Sequence, residues 1–276
     1  MKEKYDIKKF VAEIIMIALA LLFISPLYLV IVNAFKGYDE VLTSTAALPK
    51  AFNFDNFVTV WEQLNFPVVF MNTAIITVVS VAGILLISSM AAHRLVRSPG
   101  KVSNIIFFLI VSAMIIPFQT MMIPLVKVAS NFNMIDSIPG LIMMYFGFGV
   151  PLAVFLYHGF IKGIPVELEE AAAIDGAGPF RTFFRIVFPL LTPITVTIGI
   201  LHTLWIWNDF LLPYLMLGSP DKQTISLASY IYFGQYMTQW NYALAALTLA
   251  IIPVIILYLF LQRFIIEGIA AGAVKG

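Results

Sequence analysis

Ile164-Pro165-Val166-Glu167-Leu168-Glu169-Glu170-Ala171-Ala172-Ala173-Ile174-Asp175-Gly176-Ala177-Gly178-Pro179 is a short polar interruption between two apolar runs, 138–161 and 186–217. It reads as a helix with a start and a stop. Pro165 suits the first helical position, and Glu167, Glu169 and Glu170 complement the positive end of the helix dipole. Gly176 suits the left-handed residue that closes a helix. Pro179 then opens a second helix over 180–188, which leads into the next apolar run. Leu168, Ala171 and Ala172 share one face at helical spacing, and small side chains there let another protein approach the backbone closely. Two readings follow, a docking peg or an ordinary interfacial connector with solvated acids. Amphipathic connectors are common in membrane proteins, so these residues alone leave both open.

Outward from this segment the chain is apolar almost throughout. Of 276 residues, 61% are hydrophobic and 11% charged, too little polar surface to cover a soluble globule. A bilayer core about 30 Å thick is crossed by about 20 apolar helical residues. Runs of that order lie at 10–35, 66–92, 102–126, 138–161, 186–217 and 242–264. The pattern predicts an all-α integral membrane protein with about six transmembrane helices. The first run is too long for the apolar core of a signal peptide and is expected to be a retained span. The fifth contains Pro189, Pro193 and Pro213, so it is expected to kink or to extend beyond the lipid. With neither a repeat of fixed period nor a low-complexity tract, 1–276 reads as a single membrane domain.

Basic residues in the short loops set the orientation. With the N-terminus in the cytoplasm, Lys2, Lys4, Lys8, Lys9, Arg94, Arg97, Lys101, Lys162, Arg181, Arg185, Arg263 and Lys275 fall inside, and Lys36, Lys50, Lys127 and Lys222 outside. Both termini are then cytoplasmic, as are the connector 162–187 and the tail 265–276. The outer loops are about 37–65, 127–138 and 218–239. In the first of these Pro49, Asn53, Asp55 and Asn56 suit turns and short interfacial structure. Tyr38, Trp61, Trp240 and Tyr242 sit near outer boundaries, as interface anchors do.

The formal net charge of +1 gives no sign of nucleic-acid binding, and no Gly-rich phosphate loop is present, so any ATP acts through a partner. Cysteine is absent, which removes disulfides and thiolate chemistry. An intramembrane enzyme lacks a nucleophile with an adjacent base, and no His-Glu metal motif occurs. Asp209 is the one carboxylate placed deep in a span, where an ionised side chain costs roughly 2.5 to 3.5 kcal/mol on insertion scales and so needs a cavity or a partner. It is either an acceptor in a lumen for a hydroxyl of a transported molecule, or a structural hydrogen bond to a neighbouring subunit or to backbone at a kink. Asn72, Gln119, Asn208 and Trp205 are further candidates for a substrate path, amides for hydroxyl groups and a ring for an apolar CH face. His158 and His202 read as packing histidines, and Met114, Met121, Met122, Met143 and Met144 as a pliable apolar surface. An ion-coupled secondary transporter is the alternative. It calls for mid-membrane carboxylates, for which Asp209 is the single candidate.

Glu170-Ala171-Ala172, Gly176 within Asp175-Gly176-Ala177, then Phe183, Ile186, Pro189 and Pro193, resemble the "EAA" loop of permease subunits of binding-protein-dependent ABC importers. Phe188 stands where a Leu is usual. The resemblance extends to Asn72-Thr73, to Ala91-Ala92 through Arg97, to Trp207-Asn208-Asp209, and to the terminal Gln262-Arg263-Phe264 and Gly272-Ala273-Val274-Lys275-Gly276. These look like the carbohydrate-uptake branch, and within it the chain is similar to the second permease of maltose-type importers, with His93 where that branch often has Tyr. The resemblance implies a type I importer permease fold in a bacterial inner membrane. The implied partners are a second homologous permease, two ATP-binding subunits that hold the ATP and Mg, and an extracytoplasmic sugar-binding protein. Leu168, Glu170, Ala171, Ala172, Asp175 and Gly176 would form the helix that couples to an ATPase. Ala273, Val274, Lys275 and Gly276 would enter the ATPase interface, and the loop 218–239 would reach the binding protein. No cofactor or metal is expected in this chain itself.

Overall fold

The computed structural model describes the backbone of residues 7–234 and 238–273, and the side chains of these except Leu257 and 260–273. Helices dominate the described residues, which otherwise contain one isolated bridge, Phe233 with Thr238. In chain order the helices are α1 (Ile7–Ala34), α2 (Tyr38–Thr43), α3 (Asp55–Gln63), α4 (Phe66–Arg97), α5 (Lys101–Ser112), α6 (Phe118–Asn131) and α7 (Ile138–Ile161). Then follow α8 (Glu167–Ile174), α9 (Pro179–Thr182), α10 (Phe188–Leu190), α11 (Thr192–Asn208), α12 (Leu211–Met216), α13 (Ile225–Ala228) and α14 (Trp240–Ala273).

α1, α4 and α7 are long and apolar enough to cross a bilayer unbroken. The third and fifth apolar runs are broken. Lys101–Ile115 meets Phe118–Asn131 at 106°, and Pro179–Leu190 meets Thr192–Asn208 at 76°. The kink in the fifth run was expected from its prolines, but that in the third was not, and its cause is local. Pro117 has no amide N–H to continue the preceding turn, and its extended backbone, ψ 135, caps α6 in a new direction. The remaining apolar run lies in α14, where Trp240–Ile256 is apolar.

The chain divides into two compact units, Met1–Phe66 with Ser229–Pro253 and Pro67–Ala228 with Val254–Gly276. In the first, the segment after α1 folds back on that helix's end. Asn56 Nδ2 donates to Ala34 O (2.8 Å) and Lys36 O (2.8 Å), and its Oδ1 accepts from Asn241 (3.0 Å). Lys36 is fully buried and donates to Asn33 Oδ1 (3.0 Å) and to the carbonyls of Ser44 (2.7 Å) and Thr45 (3.3 Å), capping the end of α2. The expected short interfacial structure is thus a pair of helices tied down by amide and ammonium donors.

In the second unit α7 is central, with Leu141, Tyr145, Val154, Tyr157 and Ile161 fully buried. Gly149 lets its neighbours in, since a Cβ there would collide with Ile84 of α4 and crowd His202 of α11. His202 is buried, its ring nitrogens 2.9 Å from Ile198 O and 3.0 Å from Gly149 O. His158 stacks on Phe107 with ring centroids 3.9 Å apart. Both histidines belong to helix packing.

Candidate functional site

The polar connector folds as α8 followed by a tight stop. Helix α8 starts at Glu167 with Val166 as its cap, so Pro165 lies just outside the first turn rather than in it. At the other end Gly176 has φ +80, its amide donates to Ala173 O (3.0 Å), and the Ala177 amide donates to Ala172 O (2.9 Å). That pair of bonds is the Schellman closure, and it needs a residue without a Cβ at Gly176. The chain then enters α9, a π-helical turn at Phe183–Val187, and α10. The wide turn replaces the continuous 180–188 helix expected from sequence, and such turns often mark functional positions.

The expected docking face is corrected in one member. Ala172 is buried, 5% exposed, because α8 packs this side against α9 and the π-helical turn. Leu168 (44%) and Ala171 are exposed, and Ile174, which the sequence reading passed over, is 86% exposed. The free apolar face is therefore Leu168, Ala171 and Ile174, with Glu170 and Asp175 exposed beside it. Ile174 could have been found from its spacing of three residues after Ala171.

Glu169 does more than complement a dipole. Its Oε1 accepts from Arg97 Nε (2.7 Å) and its Oε2 pairs with His93 Nε2 (2.8 Å), both on the last turns of α4. Arg97 Nη2 also donates to Ile164 O (2.9 Å). Burial by itself pushes the Glu169 carboxyl up. The bonds from Arg97 and His93 outweigh that and hold it below its ordinary value.

At the opposite end of the same unit a second carboxylate ties two loops. Asp136, in the left-handed region at φ 54, accepts from the amides of Gly218 (3.0 Å) and Ser219 (2.9 Å). It also accepts from the Ser219 hydroxyl (2.5 Å) and Lys222 Nζ (2.8 Å). The Lys222 bond foremost, with those from Ser219 and Gly218, holds the carboxyl well below the usual carboxylate range, and Asp136 in turn raises Lys222.

Of the substrate-path residues, the structure brings two together. Trp205 and Asp209 line a cavity of about 470 Å³ with Met114, Phe118, Phe148 and His202. Asp209 sits in the break between α11 and α12. Its Oδ2 accepts from Tyr145 OH (2.9 Å) and its Oδ1 from the Leu211 amide (3.0 Å). It is thus a cap and a hydrogen-bond partner while still edging the cavity. Met114, Met121, Met143 and Met144 line an adjoining cleft of about 250 Å³. The other three lie elsewhere. Asn72 donates to Asp221 O (2.8 Å) and Gln223 O (3.1 Å), Asn208 donates to Leu204 O (2.7 Å), and Gln119 is exposed on the first turn of α6. Of the tail residues, Ala273 ends α14, and Val274, Lys275 and Gly276 lie outside the described residues.

Residues 83–270, which span α8, its partners His93 and Arg97, and the cavity residues of α11, match the family described as "Binding-protein-dependent transport system inner membrane component". The chain belongs to that family. The permease is 46% identical over 272 residues to the "Probable starch degradation products transport system permease protein AmyC" of Thermoanaerobacterium thermosulfurigenes, covering 99% of each chain. It is 38% identical over 252 residues to the "Melibiose/raffinose/stachyose import permease protein MelC" of Bacillus subtilis, covering 91% of each. In fold the permease is similar to a chain of a bacterial ABC transporter that imports the acidic polysaccharide alginate. That match has a TM-score of 0.80 at 21% identity and covers 93% of this chain and 96% of that one. The permease is therefore a multi-pass membrane subunit with the ABC importer permease fold, working with a substrate-binding protein. Membership of this family sets aside an ion-coupled secondary transporter.

Proposed function

We propose that this permease forms half of the transmembrane pore of an ATP-driven oligosaccharide importer, with α8 as the peg through which an ATPase subunit moves it. A second homologous permease supplies the other half. Two partner subunits bind ATP and Mg and perform the hydrolysis, leaving this chain to couple that motion to alternating access. An extracytoplasmic binding protein delivers the sugar. The single observation that carries the reading is the form of α8. Its buried side is seated beside the spans, its exposed side presents Leu168, Ala171 and Ile174, and Gly176 at φ +80 closes it sharply.

Oligosaccharide as cargo is supported by the transport roles in the names of AmyC and MelC. The cavity edged by Trp205 and Asp209 offers a ring face and a carboxylate to such a molecule. The distribution of lysine and arginine supports cytoplasmic termini in a bacterial inner membrane, with α8 on the ATPase side. On this reading Ala273 to Gly276 extend toward the ATPase interface.

Ala171→Leu tests the peg. Overpacking a close contact costs roughly 1 to 3 kcal/mol, or about a 5- to 150-fold weaker association. The ATPase should be lost from purified membrane subunits while the spans still insert. Normal ATPase retention together with normal sugar-stimulated hydrolysis in liposomes would make α8 a mere connector.

A further inference from the structure

α4 is a 32-residue helix, long enough at about 1.5 Å per residue to run from one face of a bilayer to the other. It is clamped at both ends to segments far away in sequence. At its C-terminal end His93 and Arg97, one turn apart on the same face, each take one oxygen of Glu169, 76 and 72 residues further on. Arg97 also holds Ile164 O, at the entry to α8. Phe183, 4% exposed, walls this pair with its ring 5.3 Å from that of His93. At the N-terminal end Asn72 donates to Asp221 O and Gln223 O, 149 and 151 residues away, and Thr73 Oγ1 accepts from the Ile225 amide (3.0 Å).

Glu169 and Ala172 lie on the face of α8 turned toward the protein, whereas Ala171 and Ile174 lie on the opposite, free face. The turns that flank α8 contain Gly163 and Gly178, residues whose backbones carry few steric restraints, so covalent continuity through them transmits a displacement of the helix poorly. Side-chain bonds across to a long, regular helix do not share that slack.

We propose that Glu169, His93 and Arg97 join α8 to α4 as one moving body, and that α4 passes a displacement of α8 to the loop 219–225 held at its other end by Asn72 and Thr73. The inference rests on α8 being the ATPase peg. The three inner residues are positioning residues, which touch neither cargo nor nucleotide. The two clamps differ in kind. The inner one is charge-assisted and joins side chains, whereas the outer one uses an amide and a hydroxyl on loop backbone, so the loop is held whatever its own side chains are.

The test uses the complete reconstituted complex with Glu169→Gln, Arg97→Gln and the double variant. ATPase retention should be unchanged, since Glu169 faces away from the docking side. Uptake per ATP hydrolysed should fall roughly tenfold, the scale of losing one charge-assisted hydrogen bond in a half-buried site. The double variant should lose less than the two single losses combined, because both weaken the Glu169–Arg97 bond. Hydrogen exchange at the 219–225 amides gives the second readout. It should respond to ATP binding in the unaltered complex, and Glu169→Gln should abolish that response. A mere folding role would lower yield or ATPase retention and leave the nucleotide response of the recovered complex intact. If Glu169→Gln does not assemble, Arg97→Gln alone carries the same two readouts. Normal uptake per ATP, or a nucleotide response that persists in the variants, overturns the linkage. So does loss of ATPase in Glu169→Gln, which would put that residue in the docking contact. Failure of the peg reading itself appears separately, as full ATPase retention and stimulation in Ala171→Leu.

Discussion

Two carboxylates, Asp136 and Glu169, organise the two loop regions of the larger unit, and they do so in opposite ways. Asp136 gathers backbone amides, a hydroxyl and an ammonium from one loop onto its own turn, so the loop around Gly218–Lys222 has a fixed shape that the chain supplies itself. Glu169 bonds only to side chains of α4 and fixes one side of α8, leaving Leu168, Ala171 and Ile174 exposed on the other. A self-satisfied turn needs no partner to hold its form. A helix seated on one face, with apolar residues exposed on the other, leaves an apolar surface open to a partner.

The largest effect that would break this contrast is expected from Gly176→Val. Nothing lies within 4 Å of a Cβ at that position, so space is not limiting and the whole cost is the backbone at φ +80. A left-handed residue with a Cβ costs roughly 1 to 2 kcal/mol, and a β-branched one more. The stop of α8 should re-aim, and sugar-stimulated hydrolysis and uptake in liposomes should fall about tenfold or more even where the ATPase stays bound. Gly176→Ala should do the same more weakly. Unaltered uptake in the valine variant would mean that the aim of α8 is unimportant.

At the other loop, Asp136→Ala removes every side-chain acceptor at once and puts alanine at φ 54. Amide exchange at Gly218 and Ser219 should quicken and the loop should become easier to cleave with protease. Asp136→Asn, which tolerates the left-handed backbone and keeps one acceptor, should do less. Equal protection in the alanine variant would show that the loop is held by its backbone alone.

Between the two ends, Asp209→Asn sharpens the account of the cavity. Tyr145 OH and the Leu211 amide now use separate oxygens, and asparagine leaves them one acceptor to share. Uptake at limiting sugar should drop by a few-fold, the scale of one hydrogen bond, with subunit assembly intact. Unchanged uptake would remove Asp209 from the path, and loss of assembly would make it purely structural.

Acidification gives the smallest and most graded comparison. Both carboxyls are depressed in the folded chain, so each contributes stability in full above its unfolded value and loses it as pH falls through the lower folded one. Asp136 is held far lower than its ordinary value, and Glu169 is lowered against the opposing push of burial. Below the ordinary carboxylate range the α8 link should therefore loosen before the Asp136 turn does. Exchange at α8 should rise at a higher pH than exchange at Gly218 and Ser219, and the reverse order would refute the ranking.

Much of this was legible in the sequence because its causes are local. Apolar runs of membrane length determined the helical class, and the run from Pro165 to Gly176 determined a short helix closed by a left-handed residue, since capping and left-handed backbone depend on neighbours a few residues away. The family motif in the same segment was legible for the same reason. The break at Pro117 was written there too, but proline is tolerated in so many helical contexts that its 106° bend could not be read off. What only the tertiary structure decided are pairings over long stretches of chain. Ala172 faces inward and Ile174 outward because α8 packs on the π-helical turn; Asn72 serves a loop rather than a lumen because that loop folds over the end of α4. Glu169 meets His93 and Arg97 across some seventy residues of chain. Periodicity fixes which side chains share a face, but the partner that face meets depends on how distant helices pack, and no local pattern encodes that.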